Sequence, residues 1–450
     1  MIEWLIERIE AGGDRPAVGT PSVVCTYWGL AAEIATRRAT LARAGVGAGA
    51  VVSLEGDYGP ASIASFLALA AEGAIIVPLS SDSAAQREAL LETAQVEARL
   101  DARSGRVSST GRTASHEFYD GLRSQGHPGL VLFTSGSTGT HKGAVHDLTA
   151  LLEKFRTQRN CYRTIVFLQI DHIGGVNTLL YTLANGGMSV APADRSPEEV
   201  CRSIARHRVE LLPTSPTFLN LLLLSEAYQR HDVSSLRLVT YGTEPMPEST
   251  LERLAGALPG VDLLQTYGST ELGILRSKSR SRDSLWVRVG GEGYETRIVN
   301  GRLRVRARAA MLGYLNAPSP FDEEGFIDTG DLAESDGEWI RILGRQSEVI
   351  NVGGSKVHPA EVESVLLMLD NVADASVRGE PHPIVGHIVC ATVQLNTEEA
   401  PADFRTRARR YCSERLAAYK VPVRITITDA PIHSVRFKRM RRVAPQQDHV

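Results

Sequence analysis

The sequence predicts an α/β protein with a large N-terminal domain of mostly parallel sheets flanked by helices, a small β-rich subdomain, and a small α+β C-terminal domain. Three observations predict this organisation. Helical and strand patterns alternate over the first 290 residues, strand-like segments alternating with turns follow from about residue 291, and a separate unit follows Arg345. The predicted domains are residues 1–345, with the β-rich subdomain at about 291–345, and residues 346–450.

The individual elements have recognisable start and stop signals. The segment 30–44 is a predicted helix that ends at Gly45, and the helix 196–207 begins with Pro197 in its first turn. Further helices are predicted at 60–73, 359–369 and 404–415, and apolar strands at 51–54, 74–77, 209–212, 236–240 and 261–266. Such short, nearly continuous apolar runs are typical of strands in parallel sheets.

Composition and charge exclude several classes of protein. The net charge is −3 and the pI is about 6.5, so neither nucleic acid nor an anionic membrane is an expected partner. The most apolar runs are interrupted by Glu72 or are too short to span a bilayer. The five cysteines are scattered without a CxxC pair, and the N-terminus lacks the pattern of a signal peptide. A cytoplasmic location is therefore expected.

An anion-binding loop is predicted where an apolar strand runs into a segment of small hydroxyl residues and glycines. Glycines let backbone N–H groups converge on an anion, the hydroxyls add donors, and a lysine adds a positive charge. His141 precedes Lys142 and Gly143 follows it, so the segment is not a Walker P-loop. The candidate triphosphate-binding residues are Thr134, Ser135, Gly136, Ser137, Thr138, Gly139 and Lys142.

This loop closely resembles the phosphate-binding signature of the adenylate-forming superfamily, which includes acyl-CoA synthetases, luciferases and peptide-synthetase adenylation domains. Further signatures occur in the family's order: the N-terminal pattern beginning at Thr26, YGSTE at 267–271, DTGDL at 328–332, and Gly344-Arg345 followed by VINVGGSKVHPAEVE at 349–363. The resemblance covers essentially the whole chain. It implies ATP-dependent activation of a carboxylic acid to an acyl-adenylate and its transfer to a thiol, with coenzyme A favoured, and it implies ATP, Mg²⁺ and coenzyme A as cofactor and co-substrates.

The resemblance also assigns expected roles to individual residues. Glu271 is the expected Mg²⁺ ligand, because this hard cation prefers carboxylate and phosphate oxygens. Thr270 is expected to donate to a phosphate, Asp331 to accept hydrogen bonds from the ribose hydroxyls, and Arg345 to complete the ribose and phosphate contacts. The remaining expected nucleotide-binding residues are Gly242, Thr243, Glu244, Tyr267, Gly268 and Ser269, with the ring of Tyr267 available to stack on the base.

A basic C-terminal segment resembles the part of the family that carries a catalytic lysine. Lys438 is the best match, although Phe437 stands where the family has glycine. Lys438 is expected to neutralise charge at the α-phosphate and carboxylate during adenylation. The resemblance further implies that the small domain is mobile, with its hinge at Gln346, and that the turn at Gly353 and Gly354 meets the adenylate when the thiol reacts.

The acid pocket is expected near the segment 167–177. His172 matches a family histidine that flanks the carboxylate or gates the pocket, and Ile173 lies where amino-acid adenylation domains hold an aspartate. The nearby Asp171 points away from the acid in the family pattern. The expected lining of His172, Ile173, Gly174, Val176 and Tyr241 favours an aliphatic or aryl acid without an α-amino group.

Other functions remain open at this point. The same motifs serve enzymes that deliver the acyl group to the phosphopantetheine of a carrier protein, to an amine or to a nitrogen oxyanion. They also occur in luciferase-like oxidases, and a catalytically silent acyl- or nucleotide-binding protein is a further alternative. Coenzyme A is favoured over a carrier protein because the chain is short for the family and shows no obvious extra insertion.

Overall fold

A computed structural model describes residues 2–80, 84–135, 141–434 and 437–441. The first part of the chain contains α1 (Glu3–Glu10), β1 (Pro16–Gly19), β2 (Val24–Thr26), α2 (Tyr27–Arg43), β3 (Val51–Glu55), α3 (Pro60–Ala71), β4 (Ile75–Leu79), α4 (Ala84–Thr93), β5 (Ala98–Asp101), β6 (Val107–Ser109), α5 (Glu117–Gln125), β7 (Gly129–Ser135) and β8 (His141–Asp147). The next part contains α6 (Leu148–Glu153), β9 (Arg163–Ile165), α7 (Ile173–Ala184), β10 (Met188–Val190), α8 (Pro197–His207), β11 (Leu211–Thr214), α9 (Pro216–Ser225), α10 (Ala227–Arg230), β12 (Leu238–Tyr241), α11 (Glu248–Ala257) and β13 (Asp262–Gln265).

Short strands dominate the chain from here to Arg345, and a mixed α+β unit follows. The strands are β14 (Gly268–Ser269), β15 (Gly273–Ile274), β16 (Ser277–Ser279), β17 (Trp286–Val289), β18 (Tyr294–Val299), β19 (Arg302–Ala307), β20 (Gly313–Tyr314), β21 (Ile327–Asp336) and β22 (Trp339–Arg345). After a 3₁₀ turn (Gln346–Glu348) come β23 (Ile350–Val352), β24 (Ser355–Val357), α12 (Pro359–Leu367), β25 (Val372–His382), β26 (Gly386–Leu395), α13 (Pro401–Ser413), a second 3₁₀ turn (Ala418–Lys420) and β27 (Arg424–Ile427). We call residues 2–345 the large lobe and residues 346–441 the small lobe.

Two seven-stranded sheets form the body of the large lobe, in the orders β13-β12-β11-β9-β10-β1-β2 and β20-β8-β7-β4-β3-β5-β6. All pairs from β13 to β1 are parallel, as are those joining β7, β4, β3 and β5. Helices α2, α3 and α7 contribute many of the buried side chains between the sheets, including Leu30, Phe66 and Leu179. The α/β class and the mostly parallel sheets predicted from the sequence are therefore confirmed.

The β-rich part of the large lobe is a six-stranded antiparallel sheet in the order β16-β17-β22-β21-β19-β18, spanning Ser277 to Arg345. The small lobe has its own sheet, in which β25, β26, β23 and β24 pair antiparallel and β27 joins β26 in parallel. Helices α12 and α13 form a separate hydrophobic core with this sheet, in which Leu366 and Phe404 are fully buried. No helix in the described ranges is long and apolar enough to cross a membrane.

The predicted start of α8 shows how local sequence sets these elements. The Ser196 hydroxyl accepts a hydrogen bond from the amide of Glu199, and Pro197 occupies the first turn. Arg208 ends the helix in the left-handed conformation with φ 53°. Caps of this kind satisfy amide groups that the first helical turn leaves without partners, so the boundary predicted from the sequence agrees with the structure.

Candidate active site

Three neighbouring parallel strands of the first sheet end side by side, at Thr214, Tyr241 and Gln265. Ligands of open α/β sheets bind beyond such carboxyl ends. A cavity of about 400 Å³ lies there, which we call the smaller cavity. It is lined by Phe133, Thr134, Lys142, Leu168, His172, Ile173, Gly174, Asn177, Thr178, Pro213, Thr214, Thr240, Gly242, Thr243, Thr266, Gly268, Ser269, Thr270, Glu271, Ile274, Tyr314, Arg345 and Lys438. Residues of the phosphate loop, the YGSTE signature and Gly344-Arg345 thus meet at one site with residues of the predicted acid segment and with Lys438.

A second cavity of about 760 Å³, the interlobe cavity, adjoins the first one. Residues of both lobes line it, among them Glu244, Tyr267, Asp331, Val377 and Arg378. The two cavities share Gly242, Thr243, Thr266, Gly268, Arg345 and Lys438. The nucleotide-binding candidates among these lining residues therefore lie around one continuous space, with Lys438 at the junction.

Asp331 is held in place by two partners of the predicted set. The Tyr267 hydroxyl donates to Asp331 Oδ2 (2.7 Å), and Arg345 Nε lies 2.8 Å from Asp331 Oδ1. Strands β21 and β22 place Asp331 and Arg345 opposite each other in register. Burial raises the pKa of Asp331, and the Arg345 guanidinium acts in the opposite direction. Tyr267 is only 8% exposed, so its clearest structural role is to orient Asp331.

Glu271 meets a partner that the sequence analysis did not identify. The hydroxyl of Tyr314, on the short strand β20, donates to Glu271 Oε1 (2.5 Å). The ammonium of Lys142 lies 5.1 Å from the centre of the Tyr314 ring. Tyr314 therefore contacts both the expected metal ligand and the expected phosphate-binding lysine. It is a single tyrosine outside every recognised signature, and it joins Glu271 from 43 positions away, so no local pattern indicated it.

The predicted phosphate loop is described only at its two ends. Strands β7 and β8 form an antiparallel hairpin in which Thr134 pairs with Lys142 and the backbone of Ser135 pairs with His141. The loop residues Gly136, Ser137, Thr138 and Gly139 lie outside the described residues. The Asn316 amide oxygen accepts from Gly143 N (3.1 Å) and its nitrogen donates to His141 O (2.8 Å), which fixes the strand that carries Lys142.

His172 begins helix α7 as its N-cap, and its Nδ1 accepts from the amide of Gly174 (3.1 Å). His172, Ile173 and Gly174 line the smaller cavity. Asp171 does not line it, because its Oδ2 accepts from the Ser80 hydroxyl (2.6 Å) and Ser80 amide (3.3 Å).

Two of the predicted acid-pocket residues are buried away from the smaller cavity. Val176 is fully buried in the core between the two large sheets, and Tyr241 is 1% exposed in the core around α8, α9 and α11. Neither lines the smaller cavity. The positions that do so, and that the sequence analysis missed, are Leu168, Asn177, Thr178, Pro213, Thr214, Thr240 and Ile274. The wall is therefore more polar than predicted.

Glu244 lines the interlobe cavity, but its carboxylate already has protein partners. Oε1 accepts from the Thr217 amide (2.8 Å) and hydroxyl (2.5 Å) at the start of α9, and Oε2 accepts from the Arg439 amide (3.0 Å). This carboxylate therefore links the large lobe to the segment that carries Lys438.

Lys438 lies on a hairpin-like turn near the end of the described chain. The Met440 amide donates to Ile432 O (2.9 Å), and the Ser434 amide donates to Lys438 O (2.8 Å). The neighbouring Arg439 has a different role, since its guanidinium is 4% exposed and pairs with Glu363 (3.1 Å) and Asp374 (2.9 Å) of the small lobe. Of the two, Lys438 is thus the cation at the cavities' junction.

The residues predicted for the thiol side lie apart from both cavities. Gly353 and Gly354 form the turn between β23 and β24 with φ values of 57° and 89°, which favour glycine. A Cβ at either position would meet no atom within 4 Å among the described residues. Gln346 begins the 3₁₀ turn between the lobes. The role of Gly353 and Gly354 in thiol transfer and the role of Gln346 as a hinge remain predictions.

The sequence matches two family profiles. One, described as AMP-binding enzyme, covers residues 5–315, and the other, described as AMP-binding enzyme C-terminal domain, covers residues 361–434. The chain belongs to the AMP-binding enzyme family. The resemblance stated from the sequence signatures is thereby confirmed.

Curated members of the AMP-binding enzyme family that match this chain include CoA ligases. Indoleacetate–CoA ligase of Aromatoleum aromaticum is 27% identical over 333 residues, covering 67% of this chain and 64% of that protein. 2-Succinylbenzoate–CoA ligase of Bacillus subtilis is 29% identical over 341 residues, covering 69% of this chain and 67% of that protein. For the first of these, the alignment spans less than two thirds of the relative's length.

The fold of this AMP-binding enzyme family member also matches solved structures of other proteins. The anthranilate CoA ligase AuaEII, in complex with anthranoyl-AMP, superimposes with a TM-score of 0.81 at 22% identity, covering 97% of this chain and 95% of that one. The amide bond synthetase McbA of Marinactinospora thermotolerans gives a TM-score of 0.78 at 24% identity, with 97% of each chain covered. At these identities the likeness establishes the shared fold.

Proposed function

We propose that this protein activates a carboxylic acid with ATP to an acyl-adenylate and then transfers the acyl group to the thiol of coenzyme A. The observation that carries the proposal is the meeting of Lys142, Glu271, Arg345 and Lys438 around one cavity whose other wall is formed by α7 and the strand ends. A triphosphate needs this concentration of positive charge, and an acid needs the remaining space. The CoA ligases among the relatives support the thiol as acceptor.

The proposed chemistry has two balanced steps. A carboxylate oxygen attacks the α-phosphorus of ATP, the bond to the bridging oxygen breaks, and pyrophosphate leaves with its electron pair. The thiolate sulfur then attacks the acyl carbon, and AMP leaves with the carboxyl oxygen that it had gained. Lys438 stabilises the charge that develops at the α-phosphate in the first step, and Lys142 faces the departing phosphates. Asp331, oriented by Tyr267 and Arg345, holds the ribose hydroxyls.

The site suits Mg²⁺ bound together with ATP phosphates. Glu271 supplies a carboxylate at the cavity wall, and Tyr314 fixes one of its oxygens. When bound, the ion would neutralise phosphate charge. Glu271→Gln should raise the Mg²⁺ concentration needed for the half-maximal rate, because an amide oxygen is a weaker ligand than a carboxylate. An unchanged metal titration would leave Glu271 with a purely structural role.

The proposed acid lacks an α-ammonium group and carries a hydrogen-bonding substituent on an otherwise apolar body. Among the described residues that line the smaller cavity, the acidic side chain is Glu271, which faces the phosphate end, while Asp171 is bound to Ser80. Ile173 and Leu168 offer apolar surface. The Thr214 hydroxyl is buried and has no hydrogen-bond partner among the described residues. A polar substituent of the acid would supply that hydrogen bond.

The test is pyrophosphate release from ATP across a panel of aliphatic and aryl acids, each with and without a hydroxyl or oxo group, in the presence and absence of coenzyme A. We expect acid-dependent release, with formation of the CoA thioester detected by mass spectrometry. Release without thioester, combined with acylation of a phosphopantetheinylated carrier protein or an amine, would replace the proposed acceptor. Nucleotide binding without release for any acid would favour a silent binding protein.

A further inference from the structure

Phe437, the residue before Lys438, has its side chain inserted into the large lobe. Its ring lies 5.3 Å from that of Phe167 and 5.7 Å from that of Phe218, edge-on to the latter. Both partners belong to the core around α8, α9 and α11, and Phe437 packs against this core. On its other side, the ring stacks on His433 at 5.5 Å with 14° between the planes. An aromatic ring of the small lobe thus completes a core of the large one.

The backbone of Phe437 has φ +52°, a left-handed conformation that residues with a Cβ seldom adopt. Glycine would adopt it without steric cost. A phenylalanine here is therefore disfavoured by its own backbone, and the burial of its ring against Phe167 and Phe218 is the interaction that offsets the cost. The ring therefore provides contacts with the large lobe that a glycine could not make.

Hydrogen bonds to the large lobe flank Lys438 on both sides. The Ser215 hydroxyl donates to the carbonyl oxygen of Phe437 (2.7 Å), one residue before Lys438. The Arg439 amide, one residue after it, donates to Glu244 Oε2 (3.0 Å). Because Ser215 and Glu244 both cap the start of α9, these bonds and the Phe218 contact converge on one helix end.

The same turn is anchored to the small lobe from its other face. The Arg439 guanidinium pairs with Glu363 and Asp374, and the Ser376 hydroxyl donates to Met440 O (2.8 Å). The turn is therefore clamped between the lobes. Lys438 projects from its middle to the junction of the two cavities.

We propose that Phe437 is a positioning residue for Lys438: its ring, docked against Phe167 and Phe218, holds the lysine at the site of adenylate formation. The expected effect of Phe437 on the reaction rate rests on the proposed function, whereas the docking of its ring is independent of that function. A lysine side chain is long and flexible, so its charge stabilises a transition state only if its backbone is fixed before the reaction. Phe437 supplies that fixation in place of the flexible glycine that the family resemblance leads one to expect.

The kinetic test compares Phe437→Ala and Phe437→Leu in single-turnover pyrophosphate release. Phe437→Ala should lower the rate roughly tenfold, since the lost ring contacts are worth about that factor, with little change in ATP affinity. Phe437→Leu keeps apolar contact and should retain more activity. The control is Ser364→Ala, which removes the bond from the Ser249 amide (3.2 Å), an interlobe contact on α11 and α12 outside both cavity walls. It should leave the rate nearly unchanged.

A double-mutant cycle separates positioning from a general structural role. In a Lys438→Ala background, Phe437→Ala should cause no further loss of rate, because there is no lysine left to position. Additive losses would overturn the proposal. An equal loss in Ser364→Ala would also overturn it, since any interlobe contact would then suffice.

Hydrogen–deuterium exchange of the full-length protein tests the docking without any substrate. Phe437→Ala should speed exchange of the amides of Arg439 and Met440, which are bonded to Glu244 and Ile432, while exchange in α2 and α3 stays unchanged. Unchanged exchange would refute the docking whatever the enzyme's activity. Faster exchange in Phe437→Ala would uphold the docking even if the wild type released no pyrophosphate with any acid. That absence of release would refute the proposed function, and with it a positioning role in adenylation.

Discussion

Lys142, Arg345 and Lys438 bring three positive side chains to the wall of the smaller cavity from three distant parts of the chain. Each is fixed differently. Lys142 lies beside the Tyr314 ring, Arg345 pairs with Asp331, and Lys438 sits on the clamped turn. Charges that are already in place when the phosphates react need no reorganisation, which is what makes them effective in catalysis.

Lys438→Ala should lower the rate of pyrophosphate release by roughly 10²–10³-fold and leave ATP affinity nearly intact, because one preorganised charge contact to the transition state is lost. The measurement is single-turnover release together with equilibrium nucleotide binding. The control is Lys356→Ala, which removes an exposed lysine from β24. Release at the wild-type rate in Lys438→Ala would mean that another cation has the role.

His146 is a buried histidine of β8 that should make stability depend on pH. It is 1% exposed, and burial lowers its pKa from 6.5 to about 4 against the opposing attraction of Glu271. The unfolded chain therefore binds a proton between these values and the folded chain does not. The stability that this group contributes is complete above about pH 6.5 and is lost as the pH falls towards 4.

From pH 7 to pH 5 this one group should reduce the free energy of unfolding by about 2 kcal/mol. Urea denaturation of the wild type and of His146→Leu at both pH values measures the effect. Between pH 7 and pH 5 the free energy of unfolding of the wild type should fall by about 2 kcal/mol relative to that of His146→Leu, because leucine takes up no proton. An equal pH dependence in both proteins would contradict the prediction.

At the scale of elements, the end of the described chain is tied to α12 and β25 by buried charges. Burial alone would raise the pKa of Glu363, but Arg441 and Arg439 hold it at about 2. Asp374 is buried too, and that burial raises its pKa while Arg439 opposes the change. These pairs connect the turn carrying Lys438 to the small lobe, so that the turn and the lobe form one structural unit.

Arg439→Met should lower the free energy of unfolding by about 3–5 kcal/mol, because it leaves the buried Asp374 carboxylate without its ionic partner. Glu363 keeps Arg441, which places the expected loss towards the lower end of this range. Urea denaturation of the full-length protein measures it. Arg410→Ala is the control, since that side chain is 80% exposed and its removal should change stability by less than about 0.5 kcal/mol. A similarly small loss in Arg439→Met would show that the cluster is not stabilising.

At the scale of the whole molecule, the two lobes and the parallel strand ends enclose two adjoining cavities, and we propose that the acid binds in the smaller one. Placing an ammonium group in the acid region without a carboxylate partner costs several kcal/mol. We therefore expect selectivity against amino acids to arise from the assembled wall, in which α7, β11 and β12 contribute polar but uncharged residues.

Matched substrate pairs test this selectivity: hexanoate against norleucine, and benzoate-type acids against phenylalanine. The acid of each pair should give a kcat/KM for pyrophosphate release at least about a hundredfold higher than the amino acid. Asp171→Asn is the informative variant, because it should leave the ratio unchanged if Asp171 serves Ser80. Faster release with the amino acids would identify Asp171 as the ammonium partner instead.

The sequence by itself determined the fold class, the family and most of the charged groups around the site. Periodicity and helix caps are local properties, so the bounds of α2, α8 and α12 follow closely from the segments around them. The signatures are equally local, since each is a contiguous segment at the end of a strand or in a turn. Glu271, Asp331 and Arg345 could therefore be predicted from their immediate neighbours in the chain, and the structure brings them to one space.

Only the tertiary structure decided which neighbouring side chains face the cavity. On α7, the positions Ile173, Gly174, Asn177 and Thr178 share the face that lines it, whereas Val176 points into the core. On β12, successive side chains alternate, so Thr240 faces the cavity and Tyr241 the core. Packing against other elements decides which face of a helix or strand points to the cavity. The linear sequence does not specify that packing.

The same reason applies to contacts between distant parts of the chain. Tyr314 meets Glu271, and Phe437 meets Phe167 and Phe218, only because separate sheets and lobes bring them together. In the sequence, Phe437 was a departure from the expected glycine. Its left-handed backbone and its docked ring became visible only in the folded chain, where burial of the ring offsets the cost of the backbone conformation.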